Sequence, residues 1–372
     1  MPALGEWEHT GFTQKIHFGT GAIDGVGTIL RDLGLRRVLL VTTAGRASSP
    51  AGDRLQRSIG RALAATYAGV QSHVPTTTVK EALREAHSVG IDGVVSFGGG
   101  SCADLGKAVC FFLEQESGAP GSSYADSATV KHVSIPTTYS GAELTGFFGM
   151  TDETARSKSG AGGPTIVPIA AVYDPDITRS TPPRVSAETG MNCLAHGVEA
   201  AWSPYRSPEA EAIALSCIER VASALPQVVG SPDDLGARSD MLIAAVLGGR
   251  SLHNAQMGIH HGLAQLLGGR TGIPHGLANA LLLPHAMRFN AEAVPEELRR
   301  IGRALGDEAD PAGAVERLRS TIGLPAGISD LGLVDDDDLA TVARMSQQSP
   351  SVRANPRPVT EADALAVLEA AW

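Results

Sequence analysis

The sequence predicts an α/β N-terminal domain over residues 1–165 and an all-α C-terminal domain over residues 166–372. Three observations predict this. Short β-branched apolar runs alternate with helical stretches in the first half, and a run of glycines ends one of those strands. Beyond about residue 175 the strand-like runs largely disappear and long helical patterns take over. A chain of 372 residues is also too long for one ordinary core, so two domains are the natural expectation.

The elements follow in order. Residues 36–43 (RRVLLVTT) are a β-branched run closed by Ala44-Gly45, a buried strand and its turn. Helical periodicity over 78–89 leads into Val94-Val95-Ser96-Phe97, a second strand, and Gly98-Gly99-Gly100-Ser101 breaks it before a helix from Ala103 to Leu113. A third strand, His132 to Ile135, ends at Pro136. Strands separated by helices imply parallel pairing, because parallel neighbours need a crossover. Residues 185–203, 208–228, 236–252 and 256–268 read as helices. The acidic run Asp335–Asp338 reads as a solvated loop or a helix start.

Composition narrows the function. A hydrophobic share of 43% with 4% aromatics and 43 glycines suits a glycine-punctuated enzyme and excludes a disordered or fibrous chain. The net charge of −10 argues against a nucleic-acid partner, which needs a basic face. The four cysteines show neither metal-finger spacing nor scaffold density, and read as small core residues in a reducing compartment. The N-terminus lacks a signal-peptide pattern, and no apolar run approaches the ~20 residues of a membrane span. The expectation is a cytoplasmic protein with no membrane partner.

Two features carry chemistry. Gly98, Gly99, Gly100 and Ser101, followed by Asp104 and Lys107, let backbone N–H groups approach a pyrophosphate at a helix start, with Ser101 as a candidate cap. A plain strand–helix turn is the competing reading, and the pattern is not GxGxxG. The segment from Pro136 to Glu143 (PTTYSGAE) sits at a strand's carboxyl end, where parallel sheets bind ligands. In the second half, Asn192 and His196 share one helix face, His261 lies near a helix start, and His275 follows Pro274. One asparagine with three histidines would suit a divalent metal, although single histidines are usually structural.

With these residues in place, the chain resembles the iron-containing alcohol dehydrogenase family, also called the dehydroquinate-synthase-like fold. The resemblance runs through His17-Phe18-Gly19-Thr20-Gly21, GGGSxxDxxK at 98–107, PTTYSGAE at 136–143, Tyr173-Asp174-Pro175, MNCLAHGVEA at 191–200 and the segment 258–285. Within the family it resembles the maleylacetate reductases, through PTTY, the His260-His261 pair, Ala354-Asn355-Pro356-Arg357-Pro358, and Asn192 where metal-dependent members carry an aspartate.

The resemblance implies NADH or NADPH as cofactor. It puts pyrophosphate binding on Gly98, Gly99, Gly100, Ser101 and Asp104, and further cofactor contacts on Thr137, Thr138 and Lys158. Thr43 falls where NAD-selective relatives carry an aspartate, and Arg46 lies nearby, so NADPH is expected to be accepted beside NADH. The family's metal positions fall on Asn192, His196, His261 and His275. With a neutral amide at 192, these four are expected to act as catalytic hydrogen-bonding groups with no metal required. The implied substrate is a small dicarboxylate, and the implied assembly a homodimer.

One position departs from the family. The histidine usually found four residues after His261 is here Gln265, which can hydrogen-bond but cannot shuttle a proton near neutral pH. Two alternatives stay open: a metal-dependent alcohol or aldehyde dehydrogenase of this fold, and a non-redox lyase or cyclase on the same scaffold.

Overall fold

The computed structural model describes residues 7–118, 128–153 and 157–372, with the side chains of 157 and 158 outside the description. The chain divides into two compact units, one spanning Gly11–Thr181 and the other Pro182–Trp372 together with the segment ending at Thr10.

In the Gly11–Thr181 unit the strands are β1 (Lys15–Phe18), β2 (Val38–Thr42), β3 (Leu63–Tyr67), β4 (Gly93–Gly98), β5 (Lys131–Pro136), β6 (Phe147–Asp152), β7 (Ser157–Gly162) and β8 (Ala170–Tyr173). The helices are α1 (Val26–Asp32), α2 (Ala44–Ala47), α3 (Pro50–Ile59), α4 (Thr76–Val89), α5 (Gly100–Ser117) and α6 (Pro175–Thr178). Six strands form one parallel sheet in the order β1-β8-β5-β4-β2-β3, and β6 and β7 make a separate antiparallel hairpin. The apolar runs are continuous because both sheet faces are covered. Val38 and Leu40 join a core with Val26, Leu30, Leu55 and Ile59. Leu39 and Val41, pointing the other way, join a core with Val79, Ala82, Leu105 and Val109.

The domain boundary expected at residue 165 moves to Thr181. The cause is β8, a four-residue strand that pairs with β1 and β5 and so belongs to the sheet. A short strand buried on every residue shows no alternation, and its four apolar residues are no longer than a helical turn. Asp174 at its end accepts from the N–H groups of Gly21, Ile23 and Asp176, which ties the motif after β1 to the motif after β8.

The Pro182–Trp372 unit is helical: α7 (Pro183–Trp202), α8 (Pro208–Gly230), α9 (Leu235–His253), α10 (Ile259–Thr271), α11 (His275–Asn290), α12 (Pro295–Leu305), α13 (Pro311–Thr321), α14 (Asp336–Ser346), α15 (Pro350–Arg353) and α16 (Glu361–Ala370). Helix α7 is the centre, buried without interruption from Gly190 to Trp202 and packed by α8, α9 and α11. The acidic run starts a helix: Asp335 caps α14 in a reciprocal box with Asp338. Against expectation, α8 is by length and composition apolar enough to cross a membrane, with mean hydropathy 1.3, and it packs against α7 and α9. All four cysteines are buried free thiols, as expected.

One buried group gives the fold a pH dependence. His132 on β5 has its Nε2 2.7 Å from Ser96 Oγ, which donates to Ser134 Oγ, and Gly106 lets α5 approach so closely that a Cβ there would lie 2.7 Å from the ring. Burial, assisted by the nearby Lys107 ammonium, pushes its pKa from 6.5 down to about 3. Between those values the unfolded chain binds a proton that the folded chain refuses. Stability therefore falls on acidification through that window, by roughly 1.4 kcal/mol per pH unit for this group. Replacing the ring in His132→Gln should make the decline shallower in denaturant titrations at stepped pH; an unchanged slope would show that the ring is not held neutral.

Candidate active site

The glycine run is the junction between β4 and α5. Gly99 is the residue before the helix, and the N–H groups of Cys102 and Ala103 turn back to its carbonyl. Ser101 lies inside the first turn and makes no capping bond, so the expected cap falls instead on a glycine. A Cβ at Gly99 would stand 3.2 Å from Thr138 Cγ2 and 3.3 Å from Thr138 Oγ1, and one at Gly100 would stand 3.0 Å from Ser140 Oγ. Thr138 Oγ1 is buried with no hydrogen-bond partner. Thr137 is buried beside it, its N–H bonded to the Gly98 carbonyl.

The loop after β5 is fixed by one buried cation. Lys107, on α5, has a side chain 1% exposed. Its ammonium pairs with Asp104 Oδ1 at 2.8 Å and donates to Ala142 O, Thr145 Oγ1 and Phe147 O. Asp104, expected at the cofactor, thus has a carboxylate oxygen engaged within the protein. Glu143 is buried as well and accepts from the Tyr173 hydroxyl at 2.6 Å; burial raises its carboxyl above the usual range.

Thr43 caps α2 through its side chain, and Arg46 donates to the hydroxyls of Ser180 and Thr181. Lys158 stands on β7 opposite Thr151, and its side chain lies outside the described residues.

The other unit gathers the polar residues of its buried helices. Asn192 and His196 come from α7, His261 from α10, and His275 is the first residue of α11. The rings of His196 and His261 stack with centroids 4.9 Å apart, and those of His261 and His275 lie 6.0 Å apart. Asn279 Nδ2 donates to Asn192 Oδ1 at 2.9 Å and to the His275 carbonyl, so the Asn192 amide presents its Nδ2, a donor, as the remaining group. Burial lowers the pKa of both His196 and His261, so both rings are neutral. Gln265, one turn after His261, is exposed.

Glu199, to which the sequence reading gave no role, is fully buried on α7. Its Oε1 accepts the N–H groups of Gly258 and His260, and its Oε2 accepts the N–H of His261 and the ring Nδ1–H of His261 at 2.5 Å. Burial alone would push this carboxyl up, but the hydrogen bonds from His260 and His261 outweigh it and hold it well below the usual range. Its sequence signal is faint: one acidic residue three positions after His196, in a helix otherwise buried around it.

These contacts fix the His261 tautomer. His260 Nε2 lies 3.0 Å from the Asn279 carbonyl, which only accepts, so that ring donates there. His261 Nδ1 faces the Glu199 carboxylate, which also only accepts, so it carries the proton. The neutral His261 ring then has a lone pair on Nε2; that atom and His196 Nδ1 are buried without a hydrogen-bond partner. Glu199, His260 and His261 bring ligand atoms within 4.8 Å of one another, spacing that would suit a cation. The lone-pair count decides otherwise: the four N–H donors already occupy the carboxylate.

The two units match successive family profiles, iron-containing alcohol dehydrogenase over residues 13–175 and the C-terminal region of the Fe-containing alcohol dehydrogenase family over 186–372. The chain belongs to the iron-containing alcohol dehydrogenase family. It is 33% identical to maleylacetate reductase 2 of Cupriavidus pinatubonensis over 96% of this chain and 94% of that protein. It is 32% identical to maleylacetate reductase of Burkholderia cepacia, over 95% and 94%. The crystal structure of maleylacetate reductase from Rhizobium sp. strain MTP-10005 superposes with a TM-score of 0.86 at 31% identity, over 99% of this chain and 98% of that one.

As a member of this family the chain is an oxidoreductase working with NAD(P)H. The β4–α5 junction fits that cofactor: a run of glycines at a helix start where a Cβ would crowd the neighbouring loop, with an unpartnered threonine hydroxyl at its edge. Toward the family's metal the fit is partial. The unpartnered ring nitrogens of His196 and His261 suit a divalent cation, whereas Asn192 turns a donor where an anionic ligand would stand. The expectation that no metal is required therefore rests on Asn192 alone.

Filling the cradle should separate cofactor binding from folding. Gly99→Val places methyl groups where the pyrophosphate would approach and should raise the NADH dissociation constant at least tenfold, about 1.4 kcal/mol. Fluorescence titration checks this, with unchanged circular dichroism showing an intact fold. Normal binding would reduce the glycine run to a turn.

Proposed function

We propose that this enzyme reduces maleylacetate to 3-oxoadipate with NADH or NADPH, as a cytoplasmic homodimer acting on a dicarboxylate. The observation that carries the reading is the Asn192 amide, anchored by Asn279 so that it offers a hydrogen-bond donor in the cluster of His196, His261 and His275. The curated relatives reported above, matched over nearly the whole chain, support the same substrate.

The chemistry needs such donors. A bound NADH or NADPH would supply hydride to the carbon β to the ketone, and negative charge would then develop on the ketone oxygen. Asn192 Nδ2 donates to that oxygen or to a substrate carboxylate. A proton then adds to the α carbon, so one hydride and one proton saturate the double bond and NAD(P)+ leaves. His261 was expected among the donors, but its Nε2 carries a lone pair, so proton delivery falls to His196 or His275. A divalent cation, where bound, would be held by His196, His261 and His275 and would polarise the ketone oxygen as a Lewis acid.

The unpartnered ring nitrogens of His196 and His261 favour a second reading, a metal-dependent alcohol or aldehyde dehydrogenase. An NADH-oxidation assay with maleylacetate and a panel of ketones, with and without exhaustive chelation, separates the two. We expect turnover of maleylacetate to survive chelation. Asn192→Asp should raise affinity for zinc at least tenfold in competition with a chelator, while lowering reductase activity. Activity that chelation abolishes and zinc or iron restores would install the dehydrogenase reading instead.

Cofactor choice follows from Thr43. With a hydroxyl where a carboxylate would repel a 2′-phosphate, and with Arg46 three residues on in the same turn, NADPH should serve beside NADH. The ratio of kcat/KM values is expected to stay below about a thousandfold, roughly 4 kcal/mol; a larger preference for NADH would rule this out.

A further inference from the structure

The first turn of α10 satisfies its N–H groups in an unusual way. A helix start leaves its first amides without intrahelical acceptors. Here Glu199 takes those of Gly258, His260 and His261, and Asn355 Oδ1 takes that of Ile259 at 3.2 Å. Asn355 is itself held in a reciprocal amide pair with Asn290, at 2.8 and 3.0 Å. The two caps leave no room for a side chain between them: a Cβ on Gly258 would lie 2.7 Å from Asn355 Oδ1 and 2.9 Å from Glu199 Oε1.

Capping alone does not require a buried carboxylate. Serine, threonine or asparagine caps a helix at no charge cost, whereas an ion taken out of water needs strong compensation. What the carboxylate adds is the bond to the His261 ring at 2.5 Å. We propose that Glu199 is the positioning residue of this site, acting through His261 by holding its proton on Nδ1 and its ring at a fixed angle to the start of α10. Nε2 is thereby presented permanently as a lone pair, to a cation or to a substrate-borne proton. The carboxylate's role is that of the outer partner that orients a functional imidazole.

The proposal rests on the reductase reading only for its kinetic arm. Glu199→Gln keeps the shape but turns an NH2 toward the ring, so His261 Nδ1 must accept and the proton must move to Nε2. In protein labelled with 15N-histidine, the His261 ring should show a protonated Nδ1 and a bare Nε2, and the reverse in Glu199→Gln. That variant should lose about a hundredfold in kcat on maleylacetate, with the NADH dissociation constant unchanged. Glu199→Asp retains the charge; it should keep the wild-type tautomer, recover part of the rate, and decide the matter if Glu199→Gln does not fold. A protonated Nε2 in the wild-type enzyme, or full kcat in a folded Glu199→Gln, would overturn the proposal. Failure of the wild-type enzyme to reduce maleylacetate would sink the substrate reading while leaving the tautomer measurement to stand by itself.

Discussion

The carboxylate of Glu199 sits at no solvent exposure in the most buried helix of its unit, and the arrangement of the histidines follows from how that charge is satisfied. An isolated carboxylate there would cost several kcal/mol. It is tolerated because four N–H donors converge on it, three of them the backbone amides at the start of α10. Helix α10 therefore begins where Glu199 dictates, and its partial positive charge falls on the same carboxylate. His261 in the first turn inherits its place from that junction. His196, one turn before Glu199 on α7, stacks on His261 because both are referred to the same residue.

The other unit uses the same device with the sign reversed. Lys107 is a buried cation whose ammonium is met by the Ala142 and Phe147 carbonyls, by Thr145 and by Asp104. It reaches from α5 to the loop after β5 and holds the segment that carries Thr137, Thr138 and Ser140 beside the glycine junction. A cation collecting carbonyls fixes a loop, and an anion collecting amides fixes a helix start. In each case half or more of the compensating groups are backbone, so a change of side chain elsewhere does little to loosen the join. The two charged residues thus define the geometry of the nucleotide junction and of the imidazole cluster without themselves occupying either.

Much of this was legible in the sequence, for physical reasons that also explain the gaps. The three buried strands β2, β4 and β5 are short apolar runs, the last two ended by glycine and proline, and helices α7, α8 and α9 run for 20, 23 and 19 residues, longer than strands reach. Strand β8 escaped because four buried apolar residues have no period. Edge strand β1 is short and half-exposed. Ser101 looked like a cap because serine usually is one; the helix instead starts two residues earlier, with Gly99 in the cap position and no side chain on its amides. Glu199 stood inside a quoted motif, but only the tertiary convergence of α10 on α7 reveals its work, and no spacing along one helix encodes that. Asn355 likewise carried part of the resemblance, and its bond to Ile259 explains why an asparagine stands there.

The amide at position 192 completes the electrostatic argument. At an effective dielectric of about 20, two like charges 4 Å apart repel by about 4 kcal/mol. A carboxylate at 192 would therefore oppose a dianion that becomes more negative at its ketone oxygen as hydride arrives, unless a cation stood between them. The amide removes that repulsion, and Asn279 turns its nitrogen rather than its oxygen outward. The one buried carboxylate in the cluster, Glu199, is screened by four N–H groups and keeps its charge away from the free nitrogen of His261. Neutral rings whose pKa burial lowers, a donor amide and a carboxylate whose charge is taken up by four N–H groups limit the site to one satisfied negative charge inside a chain that carries −10 overall. An acidic protein can accept an anionic substrate only by such local arrangement, and in this unit the arrangement is written into the choice of asparagine over aspartate on α7.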